Sequence, residues 1–162
     1  MKILGIDPGL HGGLALIESI APGGFKMVQV TVRIMPVAGH TIQAGDIRDW
    51  LFNACDGVGL HVFIEQVGAM PKQGLSSTFK FGMGYGQVIG MCQTLKLPFA
   101  LVTPQKWKGV VLTGTAKDKD AAVAYCRREF PAVNLIPERC RVPHDGIADA
   151  LCIAEYGRRH AL

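Results

Sequence analysis

Four carboxylates are placed where chemistry is possible. Asp7 closes the apolar run KILGID, and Glu65 closes LHVFIE. Asp145 and Asp149 stand four apart in VPHDGIADALCIAEYG, a segment otherwise small and apolar. Residues four apart share a helix face. The stripe holding these two acids continues through Cys152, Ile153 and Tyr156, which are not solvent-face residues. Each acid also has an ordinary structural use: Asp145 as a helix N-cap, Asp7 before Pro-Gly as a turn former, Glu65 and Asp149 as ion-pair members. Their joint placement suggests more. An apolar run ending in an acid puts that acid at the C-terminal edge of a sheet, where open α/β sheets carry their sites. If the first and fourth strands are neighbours, Asp7 and Glu65 sit side by side, and a final helix crossing that edge adds Asp145 and Asp149. Carboxylates so gathered cannot all stay ionised unaided. Mg²⁺ offsets such charge and takes carboxylate oxygens together with substrate phosphate and water. Two ions about 3.5–4 Å apart clamp the attacking and leaving oxygens of an in-line displacement at phosphorus. The chemistry expected is metal-dependent phosphodiester hydrolysis with two bound ions.

The elements that must position these acids can be read from the patterning. KILGID, GGLALIE and FKMVQVTVR read as three strands joined by tight turns, the second at PGG (22–24), in an antiparallel meander. Thr41 to Ala54 has helical spacing through Ile42, Ile47, Trp50 and Leu51. LHVFIEQV is a fourth strand whose apolar run suits a parallel position. GAMPKQGLSS reads as a loop, and Ser77 to Leu95 as a helix despite Gly82, Gly84, Gly86 and Gly90. FALVT is a fifth strand, PQKWKGVVL a helix with Pro in its first turn, and TGTAKDKDAAVAYCRREF a loop then a helix. PAVNLIPERCRVP is irregular, and the last helix spans His144 to Arg159. The expected fold is α/β, a mixed five-stranded sheet flanked by helices, forming one domain over residues 1–162.

Composition narrows the function classes. The chain has 162 residues, 49% hydrophobic and 19% charged, which suits a globular domain rather than a disordered one. No apolar run reaches the roughly 18 residues that span a bilayer, and MKILGIDPG lacks a signal-peptide layout. A cytoplasmic protein without a membrane partner is expected. Five cysteines are scattered without a CxxC pair, which argues against a disulfide framework or a zinc site. The net charge is +4, and Lys72, Lys80, Lys106, Lys108, Lys117 and Lys119 lie across the middle of the chain. An acidic pocket within a basic surface suits a polyanion.

ILGIDPGLHGGLAL, FIEQV, GYGQVIG and ADALCIA, in this order and spacing, resemble the RuvC family of Holliday junction resolvases across nearly the whole chain. The resemblance implies a ribonuclease H-like fold, dependence on Mg²⁺ or Mn²⁺, a homodimer, and paired nicks across a four-way DNA junction. It matches Asp7 to the first-strand acid, Glu65 to the acid ending the fourth strand, and Asp149 to the last acid of the final helix. The remaining family acid falls three residues before the last one, at Gly146 here, whereas this chain offers Asp145. A one-residue shift rotates a side chain by about 100° on a helix, although a residue at the helix start has freedom to reach. HDGIADAL resembles the variant of phage-type relatives, which implies a bacteriophage or prophage origin. His144 is a further candidate, as proton carrier or ligand.

The family's aromatic wedge, which follows EQV, is replaced here by Gly68. Met70 is an alternative apolar wedge of the kind that unstacks bases. Phe79 and Phe81 are candidates too, with core packing as their ordinary use. Lys72, Gln73, Ser76, Ser77 and Lys80 follow the fourth strand and are expected to contact DNA. Lys108, Lys117 and Lys119 resemble basic positions near the scissile phosphate, with Lys108 and Lys117 also counted among the catalytic candidates. Such contacts position a duplex without reading its sequence. The glycines from Gly82 to Gly90 would allow close helix packing, including across a dimer. The rival readings are a broader branched-DNA or flap nuclease, and a non-catalytic DNA-binding module on the same fold. The first hairpin also resembles that of actin-like ATPases and sugar kinases, but these need a second domain.

Overall fold

The computed structural model describes residues 1–20, 27–68, 74–115, 120–138 and 140–160. In chain order these form β1 (Lys2–Asp7), β2 (Gly13–Ile20), β3 (Met27–Ile34), β4 (Val37–Ala38), β5 (Thr41–Ile42), α1 (Ala44–Ala54), β6 (Leu60–Glu65), α2 (Leu75–Thr94), β7 (Phe99–Val102), α3 (Pro104–Val111), α4 (Ala121–Glu129) and α5 (Asp145–His160). The main sheet is ordered β3-β2-β1-β6-β7. The first three strands are an antiparallel meander, and β6 and β7 add in parallel beside β1. The turn expected at 22–24 lies outside the described residues.

Two expected boundaries change. Thr41 and Ile42 pair with Val37 and Ala38 as a small separate hairpin, so α1 begins at Ala44. The β-branched pair Thr-Ile takes the extended conformation, which the helical spacing of its apolar residues did not reveal. Helix α2 begins at Leu75 and runs through all four of its glycines. Gly84 faces inward, where an added Cβ would lie 2.9 Å from Ile42 of that hairpin.

The sheet separates two apolar layers. Leu4, Ile6, Leu14, Leu16, Val62 and Ile64 pack toward α1 and α2. Ile3, Ala15, Ile17 and Phe63 pack toward α3, α4 and α5. Side chains alternate along a strand, so Asp7 follows Ile3 and Gly5 onto the α5 face, and Glu65 follows Phe63 onto the same face. Gly5 lets α5 cross directly over β1. A Cβ there would stand 2.1 Å from the Ala150 carbonyl oxygen and 2.4 Å from the Ala154 nitrogen. This contact is closer than any larger residue permits, and it draws the first half of α5 over the end of β1.

The far end of α5 is fastened by ions. Glu155 is buried, and its carboxylate accepts from Arg158 Nε at 2.6 Å and Arg159 Nε at 2.8 Å. Arg159 also donates to the Val110 carbonyl and to Tyr125 Oη, which joins α3 and α4 to α5. Glu155→Ala is expected to lower stability by about 1.5–3 kcal/mol, the range for hydrogen bonds to charged groups. The arginines reach solvent, which keeps the loss below that of a fully buried pair. A urea midpoint unchanged from wild type would refute this role. Among the described residues, no helix is long and apolar enough to cross a membrane.

Candidate functional site

Strands β1 and β6 pair in register up to Ile6 and Ile64, so the next residues, Asp7 and Glu65, end the two central strands side by side. Burial, then the neighbouring Glu65 and Asp149, push the Asp7 carboxyl up to about 7. The Gly9 N–H, 3.3 Å from Asp7 Oδ1, and the Lys108 ammonium act in the opposite direction. Asp149 lies on α5 above the same edge. Burial pushes it up to about 6, with Glu65 and Asp145 adding to the rise and Lys108 opposing it. Asp7, Glu65, Asp149 and Lys108 thus feel one another as a single electrostatic cluster.

Helix α3 supplies the basic side of this cluster. Thr103 caps it through Oγ1, which accepts from Lys106 N at 3.4 Å, and Pro104 follows at the first helical position. Because β7 lies beside β6, the helix that follows it starts next to Glu65. Trp107 is fully buried, and its Nε1 donates to Glu65 Oε1 at 2.9 Å. Lys108 extends with its ammonium 5.0 Å from the Trp107 ring centroid. The sequence reading included Lys108 and overlooked Trp107. The available signal was an indole directly before that lysine in PQKWKG.

Asp145 and His144 lie at the start of α5, where the chain departs from the family pattern. His144 takes the capping place: its carbonyl accepts from Ile147 N and Ala148 N, and its Nδ1 accepts from Ile147 N at 3.3 Å. Asp145 is therefore the first helical residue rather than the N-cap. It is exposed and borders a hollow formed with Asp120, Arg127 and Val142. Its charge acts on Asp149 and on His144 but is not among those that shift Asp7. Gly146 explains why no acid stands there. A Cβ at 146 would lie 2.3 Å from the His11 carbonyl oxygen and 2.6 Å from Gly12, and one at Gly13 would strike the Gly146 carbonyl. The start of α5 rests directly on the β1–β2 turn through a bridge between Gly12 and Gly146.

The remaining candidates scatter around this edge. Ser76, Ser77 and Lys80 are exposed on the first turns of α2. Phe79 is 74% exposed, which overturns its reading as a core residue; Phe81 is half-buried. The periodicity of α2 did not separate its buried face, which holds Gly84, Val88, Met91 and Cys92, from an exposed apolar row of Leu75, Phe79 and Met83. Met70, Lys72, Gln73, Lys117 and Lys119 lie outside the described residues.

Among the described residues, no group of three or more His, Cys, Asp or Glu side chains stands at metal-holding spacing. The chemistry of the donors nevertheless fits a hard divalent cation. The cluster offers carboxylate oxygens only, and burial and the neighbouring acids hold the Asp7 and Asp149 carboxyls above their ordinary range, with Lys108 opposing the rise at both.

The sheet order, the parallel addition of β6 and β7, and the helix laid across β1 define a ribonuclease H-like fold. Solved structures place it more narrowly, as a RuvC-type fold. Thermus thermophilus RuvC is 20% identical with a TM-score of 0.62, covering 99% of this chain and 97% of that one. The same protein in complex with Holliday junction substrate is 19% identical with a TM-score of 0.63, covering 99% and 95%. Fowlpox virus resolvase in complex with substrate Holliday junction DNA is 12% identical with a TM-score of 0.55, covering 99% of each chain. At these identities, what the chains share is the fold. No family model and no curated protein sequence matches this chain.

Proposed function

We propose that this protein is a metal-dependent endonuclease that nicks branched DNA, with the four-way junction as its main substrate. The observation that carries the reading is the meeting of Asp7 and Glu65 at the ends of adjacent parallel strands, with Asp149 and Lys108 over them. The fold is that of proteins solved with Holliday junctions bound. Asp7, Glu65 and Asp149 would hold Mg²⁺ or Mn²⁺, with Asp145 reaching in from the helix start. Two such ions supply charge neutralisation at the phosphate and an activated water. The chain's own groups do the rest. Lys108 places a positive charge where the phosphate gathers negative charge. The Nδ1 of His144 is occupied as an acceptor, so its neutral ring carries the proton on Nε2 and offers it to a phosphate oxygen. Ser76, Ser77 and Lys80, together with Lys72, Gln73, Lys117 and Lys119, would hold the duplex arms by their phosphates.

Paired nicks need two sites, and the reading includes a homodimer. Gly82 and Gly86 lie exposed and Gly90 half-buried, each with open space where a Cβ would stand, and Met83 is exposed beside them. A second α2 could approach closely there. Phe79, nearer the start of α2, is the aromatic best placed to enter the junction centre in place of the wedge absent at Gly68. Phe79→Ala is expected to weaken junction binding by about 1–3 kcal/mol, the range for loss of base stacking. Its thermal stability should not change, because the ring is exposed. Equal junction binding by this variant would remove Phe79 from the role.

The deciding experiment is cleavage of end-labelled four-way, three-way and flap DNA with Mg²⁺ and with chelator. Symmetric, metal-dependent nicks confined to the four-way junction would support the resolvase. Equal cutting of all three forms would favour the broader branch nuclease, which the absence of an aromatic at position 68 also supports. Junction binding without cutting of any form would refute the enzymatic reading.

A further inference from the structure

We infer that Trp107 is a positioning residue for Glu65, one of the metal-holding carboxylates, and that its indole reports on occupancy of the site. The inference rests on the reading of Asp7, Glu65 and Asp149 as ligands. Indole has a single hydrogen-bond donor and no acceptor. That donor is spent on Glu65 Oε1 at 2.9 Å, from a ring that is fully buried and therefore held by packing on every side. Glu65 has three side-chain torsions and sits among other carboxylates, which push it away from the cluster. One fixed N–H removes much of that freedom and leaves the second carboxylate oxygen for a cation. Groups that orient a metal-bound carboxylate commonly contribute tenfold or more in metal affinity.

The placement of Trp107 on α3 strengthens the case. The same helix carries Lys108, whose charge acts on both Asp7 and Asp149 and whose ammonium lies near the Trp107 ring. One short helix, started by the Thr103 cap and Pro104, therefore sets the orientation of one carboxylate and the electrostatics of two more. A shift of Trp107 would disturb both together.

The test uses the full chain in a Trp50→Phe background, which leaves Trp107 as the single tryptophan. Mg²⁺ binding is followed by calorimetry, and Tb³⁺ binding by luminescence sensitised through the indole. The expected result is Tb³⁺ emission that Mg²⁺ displaces, and a Mg²⁺ affinity about tenfold weaker in Trp107→Phe. Glu65→Ala and Trp107→Phe should combine non-additively, because each removes one side of the same contact. Val111→Ala, another buried residue of α3, serves as the control for packing loss: it should lower stability and leave Mg²⁺ affinity unchanged. Equal Mg²⁺ affinity in Trp107→Phe, or full additivity with Glu65→Ala, would overturn the positioning role. No binding of either ion by the parent protein would instead overturn the metal-site reading beneath it, and the inference with it.

Discussion

Asp7→Asn should abolish metal-dependent cutting while leaving the fold more stable. The activity loss is expected to exceed about a thousandfold, since removing one transition-state charge stabiliser alone costs about 10²–10³ and this carboxylate would hold metal as well. The stability gain follows from linkage. Burial and the neighbouring acids raise the folded carboxyl to about 7, above its value in the unfolded chain. The folded state therefore binds the proton more tightly than the unfolded state. Stability falls as pH rises from the unfolded value through about 7, and the full cost applies above that. Asparagine never ionises and escapes it. The metal-free variant should match the parent near pH 4 and exceed it by about 2–4 kcal/mol at pH 8. Mg²⁺ should narrow the gap by stabilising the parent. Urea denaturation across pH, with and without Mg²⁺, checks this. A variant less stable than its parent at pH 8 would show that Asp7 is held by favourable contacts rather than strained by its neighbours.

The second large effect is expected at Gly146. Replacing it by aspartate would restore the acid at the position used by the family that the sequence resembles. The structure forbids it. The new Cβ would meet backbone atoms of His11 and Gly12 at 2.3 and 2.6 Å, and backbone cannot swing aside as a flexible side chain can. Gly146→Asp should thus lose about 3 kcal/mol or more, above the usual overpacking range of about 1–3 kcal/mol, and give little folded protein. Asp145→Asn, which changes an exposed side chain, should fold normally. Folded, metal-binding Gly146→Asp protein would mean that α5 can lift from the β1–β2 turn, and that the two acid positions are interchangeable.

These two sites show how far the sequence alone reaches. Strands that end in acids were legible because alternation and apolar runs depend on local burial. KILGID and LHVFIE announced both their conformation and the position of their last residue. Asp149 was legible for a related reason: an acid within a small apolar helix needs a purpose. The meander, the parallel place of the fourth strand, the fifth strand and the final helix all follow from such local patterns. The separate hairpin at Thr41 and Ile42 was not legible, because helical spacing and a short β-branched pair compete in the same residues. The exposure of Phe79 was hidden too, since α2 is apolar on both of its faces and periodicity cannot say which one meets the core.

Three relations came only with the tertiary structure, and all are contacts between distant segments. Trp107 and Glu65 are 42 positions apart and meet because β7 adds beside β6 and aims the next helix back at the strand ends. Gly5 and Gly146 read as ordinary glycines until α5 is laid on β1 and on the β1–β2 turn, where they prove to be the points of closest approach. Asp145 and Asp149 share a helix face in sequence, yet of the two only Asp149 is among the charges that shift Asp7, because the glycine bridge fixes where α5 begins. Local chemistry thus determined the acids and the elements that carry them. Packing decided which of them face one another, because that depends on how closely two backbones can approach.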